Sequence, residues 1–181
     1  MQLVVDGTKI FVGTGGREFD PALPTIVFLH GAGLDHTVWA LLARWFAHRG
    51  FGALAPDLPG HGRSEGKPLE TIAAMADFTA ALMEAAGARR TRIVGHSMGS
   101  LIALETAVRH PDHIEAIGLI ATAAAMTVSP DLLAAALPNA RVVVLAGAGH
   151  MLMSERPDEV LAALRDLAAG AGVTSASVQA G

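Results

Sequence analysis

The chain contains no cysteine. Disulfides, thiolate nucleophiles and cysteine-bound metals are therefore excluded, and a cytoplasmic setting is expected. No apolar run approaches the roughly 18 residues that a membrane span needs, so no membrane partner is expected. The stretch Met1 to Asp6 has no basic region followed by an apolar core, and no signal peptide is expected. Charge is also scarce. Only 17% of residues are charged and the net charge is −4, which argues against a nucleic-acid partner. No two histidines stand at i, i+4 with a glutamate between them, and His36, His48, His61 and His110 are scattered, so no metal site is expected. No G-x-x-x-x-G-K run is present, and no cofactor is expected.

What the chain does have is apolar residues, 51% of its 181. That is enough for one domain with one sizeable core. We expect a single unit over residues 1–169 and a frayed tail over 170–181, where small and polar residues dominate. Gln2 to Val5 and Thr8 to Val12 read as a hairpin around the Asp6-Gly7 turn. Thr14 to Pro24 is a loop, and Thr25 to Leu29 is a buried strand. A helix is expected from His36 to Arg49, with Val38, Leu41, Leu42, Trp45 and Phe46 on one face. A strand at Gly52 to Ala55, a helix at Leu69 to Ala86, a strand at Thr91 to Val94 and a helix at Ser100 to His110 follow. Glu115 to Ala121 reads as a further strand, and Pro157 opens a last helix. Alternating strands and helices from Thr25 onward predict an α/β fold with a mostly parallel sheet, helices on both faces and an amino-terminal hairpin.

The densest chemical signal is Gly95-His96-Ser97-Met98-Gly99, between a strand and a helix. A serine on such a turn needs strained backbone angles and small neighbours two before and two after. Its hydroxyl then stands at the carboxyl edge of a sheet, beside the free N–H of Met98. Acyl transfer needs such a nucleophile and anion site. A plain turn serine is the alternative. His30-Gly31-Ala32-Gly33 follows a buried strand, and the N–H of Ala32 or Gly33 can pair with that of Met98 as an oxyanion hole. His150, in Ala148-Gly149-His150-Met151, follows the apolar run Val142 to Ala146, where an imidazole can serve the serine as base. His30, His36, Trp39 and His96 are candidate substrate-binding residues. His30 also suits a role supporting the oxyanion loop, and His96 one of packing behind the nucleophile.

The H-G-x-G turn, the Asp57-Leu58-Pro59-Gly60-His61-Gly62-Arg63-Ser64 loop, the G-H-S-M-G elbow and the G-A-G-H-M segment occur in one order. Together they resemble the α/β-hydrolase family over Leu3 to about Leu167. The resemblance is closest to small serine esterase and lactonase-like members without metals or cofactors. It implies Ser97 as nucleophile and His150 as base, and Ser97 excludes the aspartate-nucleophile branches.

One part of that family's pattern is missing. Between the strands Glu115 to Ala121 and Arg141 to Ala146 lie only Thr122 to Ala140, with one short helix candidate, Pro130 to Leu137. No cap and no acid-bearing strand fit there. The acid that orients the histidine is then open. Asp131 is favoured by chain order, though a helix-capping role suits it too; Asp57, Glu105, Asp112 and Asp158 are weaker candidates. The strand Arg141 to Ala146 is expected to close up beside the preceding strand, moving His150 toward Ser97 by about 4.8 Å. If that slot stays empty, a second copy of the chain is expected to fill it, as a homodimer. The expected activity is hydrolysis of small carboxylic esters in a capless, open site. The alternative is an impaired remnant or minimal scaffold that self-associates.

Overall fold

The computed structural model describes residues 1–121, 143, 145 and 147–169. Strands β1 (Gln2–Val5) and β2 (Thr8–Gly13) form the hairpin. Asp6 and Gly7 both take positive φ, 47° and 76°, as a type I′ turn requires. Strands β3 (Thr25–Leu29), β4 (Gly52–Pro56), β5 (Thr91–His96) and β6 (Ile114–Ile120) follow. The sheet order is β1-β2-β4-β3-β5-β6, with β3, β4, β5 and β6 parallel, β2 antiparallel to β4 and β1 antiparallel to β2.

The central strands read as continuous apolar runs because both faces are covered. Val27 and Leu29 of β3 and Ile93 of β5 point into one core, with Phe78, Leu82 and Met83 of helix α2 (Ile72–Ala86) and Ile102 and Ala103 of helix α3 (Met98–Arg109). Their alternate neighbours Ile26, Phe28 and Val94 point into the other. There they meet Leu42 and Phe46 of helix α1 (Ala40–Ala47) and Val160, Leu164 and Ala168 of the last helix. One residue of shift in any of these strands would exchange the two faces.

Several boundaries differ from expectation for local reasons. The first helix opens as a 3-10 turn, His36–Trp39, before α1 begins. That tighter turn changes the helical phase, so Trp39, Leu42, Ala43 and Phe46 face inward and Leu41 is 67% exposed. α2 starts later than Leu69, because the Thr71 hydroxyl accepts from the Ala74 N–H at 3.1 Å and caps the helix there. β5 runs on to His96 because Gly95 and His96 still pair with Leu119 and Ile120 of β6. A short helix not expected from the sequence, α4 (Leu152–Glu155), precedes α5 (Pro157–Ala169).

The closing helix matters for the site. α5 lies against β6 where Gly118 leaves room, since a Cβ there would meet Leu164 and Leu167 at 3.2 Å. The Arg92 Nε donates to the Leu167 carbonyl at 3.3 Å, and Met153 of α4 is buried. The chain leaving residues 147–151 is thus pinned to β5 and β6. The expected strand Arg141 to Ala146, apart from Val143 and Leu145, lies outside the described residues, as do the helix candidate Pro130 to Leu137 and the tail 170–181.

Candidate active site

Ser97 joins β5 to α3 with φ 53° and ψ −115°. Side chains other than glycine rarely adopt that conformation, and holding it costs about 1–3 kcal/mol. The surroundings enforce it. The Ser97 N–H donates to the Ile120 carbonyl at 3.0 Å. A Cβ on Gly95 would collide with the Gly99 carbonyl, and one on Gly99 with the Leu29 carbonyl. Both glycines are therefore dictated by the turn, not by chance composition. Ser100 completes the bracing: its hydroxyl lies 2.8 Å from the Gly95 carbonyl and 3.1 Å from the Ile120 carbonyl, and it accepts from the Ile120 N–H. The sequence reading missed Ser100, whose only signal was a hydroxyl buried in the first turn of an apolar helix.

Met98 is the first residue of α3, so its N–H has no partner within the helix. The turn after β3 comes up beside it. A Cβ on Gly31 would stand 3.3 Å from the Ser97 Cβ and 3.3 Å from the His96 carbonyl oxygen. Ala32 and Gly33 are exposed, and Gly33 has φ 69°. The helix start, with its positive dipole end, and this turn give the neighbourhood of Ser97 an affinity for negative charge.

His150 arrives from the far side. Its carbonyl oxygen accepts from the His96 Nε2 at 2.8 Å, and the two rings lie 4.8 Å apart at 53°. The loop is closed by Glu155, whose carboxylate accepts from the Gly149 N–H at 2.5 Å and the Met151 N–H at 3.2 Å. His96 is the residue before Ser97, so the fold brings the imidazole loop against the elbow. Among the described residues, neither the Ser97 hydroxyl nor the His150 ring makes a side-chain hydrogen bond. His150 is exposed, while Ser97 and Met98 are half-buried.

The alpha/beta hydrolase fold model matches residues 24–135. The chain belongs to that family. It is 41% identical over 114 residues to a pimeloyl-[acyl-carrier protein] methyl ester esterase of Chromobacterium violaceum, a match covering 63% of this chain and 41% of that protein. It is 32% identical over 111 residues to lipase LipV of Mycobacterium tuberculosis, covering 61% and 42% respectively. The chain thus spans about two fifths of the length of these curated relatives. A predicted CIB-like hydrolase from Thermoplasma acidophilum superposes with TM-score 0.79 at 24% identity, covering 93% of this chain and 96% of that one. That likeness speaks to the fold.

The remaining candidates in this α/β hydrolase have other partners. His30 is wholly buried; its Nε2 accepts from the Leu58 N–H at 3.1 Å and its Nδ1 lies 2.8 Å from the Gly31 carbonyl. Since a carbonyl only accepts, Nδ1 carries the proton and the ring is neutral. Burial holds its pKa below the ordinary histidine value, the Gly31 bond raising it by less. His30 therefore ties the H-G-x-G turn to the Asp57 loop. Asp57 is buried and accepts from the His36 N–H at 2.7 Å, the Arg63 N–H at 2.8 Å and the His36 Nδ1 at 2.8 Å. Gly62 is required because a Cβ would collide with that carboxylate. Asp35, His36 and Asp57 bring candidate ligand atoms within 4.8 Å of one another. Asp57 already bonds His36 and Arg63, and the Asp35 Oδ1 accepts from the Thr37 N–H and hydroxyl. Trp39, expected to line substrate space, is wholly buried and packs on Phe28 at 5.3 Å in the core. Its burial follows from the 3-10 turn that sets its direction.

Of the acid candidates, Asp57 holds its own loop, and Glu105 pairs with Arg109 at 3.8 Å. Asp158 stands in the first turn of α5 and Asp112 in the short turn before β6. Asp131 lies outside the described residues. Two pockets, of about 220 and 290 Å³, lie elsewhere: one around Phe19 and Phe51, one between Phe11, His36 and Arg44. No helix among the described residues is long and apolar enough to cross a membrane.

Proposed function

We propose that the protein is a serine hydrolase of small carboxylic esters, working through an acyl-enzyme. The Ser97 oxygen attacks the ester carbonyl carbon while His150 takes the hydroxyl proton. The carbonyl oxygen becomes an oxyanion between the N–H groups of Met98 and Ala32, with Gly33 beside them. Collapse expels the alcohol, which takes the proton from His150. Water then attacks the acyl group, His150 again receives a proton, and the carboxylic acid leaves with Ser97 restored. Asp131 is the acid proposed to orient the ring.

The observation that carries this reading is the strained elbow. Ser97 at φ 53° is braced by Gly95, Gly99 and Ser100, with the His150 loop bonded to the adjacent residue. Strain of that kind persists where a reactive group must be held out at a fixed angle. The esterase and lipase named above as relatives support the same class of substrate. Exposure of Ala32, Gly33 and His150 supports an open, capless site. Such a site suits short, activated esters and gives little selectivity.

Aryl acetate hydrolysis and labelling by a fluorophosphonate test the proposal together. Wild type is expected to hydrolyse the ester and take up one label per chain. Ser97→Ala is expected to do neither, and unchanged hydrolysis in Ser97→Ala would defeat the mechanism. A second reading, an impaired scaffold that pairs with a second copy through β6, is favoured by the half-buried state of β6, which ends the sheet order among the described residues. It requires absent labelling together with a concentration-dependent dimer by light scattering.

A further inference from the structure

Three main-chain groups around His150 are held by side chains. The N–H before it, of Gly149, and the N–H after it, of Met151, both donate to the Glu155 carboxylate. Its own carbonyl accepts from His96 Nε2. The peptide after His150 is thus held at both its carbonyl and its N–H, the residue before it is held at its N–H, and among the described residues the imidazole makes no hydrogen bond.

The His96 side of this grip has a defined chemical state. A carbonyl oxygen only accepts, so Nε2 carries the proton and Nδ1 carries a lone pair. That Nδ1 is buried and has no hydrogen-bond partner. Gly31 is pressed so near that a Cβ there would lie 3.0 Å from it. Burial, the largest influence, holds the His96 pKa below the ordinary histidine value, while the bond to the His150 carbonyl raises it by less. A neutral ring with one proton has only one useful orientation here, the one that donates to His150.

His96 is itself buried and held in the sheet. It ends β5, pairs with Ile120, and is followed by Ser97, whose N–H bonds the same Ile120. One residue therefore connects the alcohol through its backbone and the imidazole loop through its side chain. On the other side, Glu155 ends α4 and leads into α5, which is packed on β6.

We infer that His96 and Glu155 are positioning residues that hold the main chain of His150 from two sides and so set where its imidazole stands relative to Ser97. The inference rests on the reading of His150 as base. It assigns to main-chain contacts an orienting role that a carboxylate on the ring fills in a full triad. A misplacement of about 1 Å at such a site costs on the order of 100-fold in rate, so the grip is worth measuring as turnover and not only as stability.

The test uses the full chain and the variants His96→Leu, His96→Gln and Glu155→Ala. Leu keeps bulk and loses the donor; Gln restores an N–H at similar reach. With an aryl acetate, His96→Leu is expected to lower kcat by about 10- to 100-fold, with KM changed less than about 2-fold. His96→Gln is expected to recover most of kcat. Glu155→Ala is expected to speed amide exchange at Gly149 and Met151 by about 10-fold or more, with distant core amides unchanged. Full kcat in His96→Leu would overturn the inference. So would a His96→Gln variant as slow as His96→Leu. If wild type hydrolyses no ester, exchange at Gly149 and Met151 and the ring resonances of His150 decide alone. Faster exchange with altered ring resonances upholds the grip although the hydrolase reading has failed; wild-type values in every variant overturn it.

Discussion

Replacing Ser97 by glycine should make this protein more stable while removing its proposed nucleophile. Ser97 sits at φ 53°, ψ −115°, where a Cβ is strained and glycine is not. Releasing that strain returns about 1–3 kcal/mol. Glycine also loosens the unfolded chain, which takes back about 0.4–1 kcal/mol. No hydrogen bond of the Ser97 hydroxyl is lost among the described residues, and the backbone bond from its N–H to Ile120 remains available. The net gain is about 0.5–2 kcal/mol. For a domain of this size each kcal/mol moves Tm by about 2–4 °C, so Ser97→Gly should raise Tm by roughly 1–8 °C. Ser97→Ala is the control. It removes the hydroxyl and keeps the Cβ, so it keeps the strain and should stay within about 0.5 kcal/mol of wild type. Urea unfolding of the three proteins, read by near-ultraviolet circular dichroism, gives the comparison. A Ser97→Gly protein no more stable than Ser97→Ala would refute stored strain at the elbow. With it would go the main physical support for Ser97 as a held-out nucleophile.

Gly99→Ala should cost about 3 kcal/mol or more, because its Cβ would strike the Leu29 carbonyl and backbone on neither side can yield; soluble yield and urea midpoint measure it. Leu42→Ala should cost about 2–5 kcal/mol, whereas Leu41→Ala, on the exposed side of α1, should stay within about 0.5 kcal/mol. Equal effects of the two would mean that the 3-10 turn does not set the phase of that helix. His30 and His96 are both held below the ordinary histidine pKa of 6.5, chiefly by burial. The unfolded chain therefore binds protons first as pH falls. Their contribution to stability is full above about pH 6.5 and is lost progressively below it, and a urea midpoint that does not fall between pH 7.5 and 5.5 would count against their burial as neutral rings.

Much of the site was readable because its constraints are local. A serine needing a positive φ demands glycines at 95 and 99, and the strand and helix on either side are visible in the hydrophobic pattern. The hairpin was readable from Asp6-Gly7, and the parallel sheet from runs that are apolar on both faces. Asp57, Gly62 and Arg63 announced a tight loop for the same reason: Asp57 holds the Arg63 N–H and the Ser64 hydroxyl six and seven residues on, whereas its bonds to His36, 21 residues away, carried no such local signal. Glu155 was missed, although it stands five residues after His150. A carboxylate at that spacing reaches back to main-chain N–H groups only if a short helix intervenes, and no periodicity marks a helix of that length.

Residue order along this chain was sufficient to specify the turn chemistry, the alternation of elements and the strand–turn–helix setting of Ser97. Those follow from steric demands between near neighbours. It did not specify that His96 would grasp the carbonyl of His150, 54 positions away. Nor did it specify that His30 would be spent on Leu58, or that Trp39 would turn inward. Those outcomes depend on which strands lie side by side and how a single 3-10 turn rotates a helix against them. A buried N–H takes whichever acceptor the packed sheet brings within 3 Å, and sequence separation says nothing about that distance.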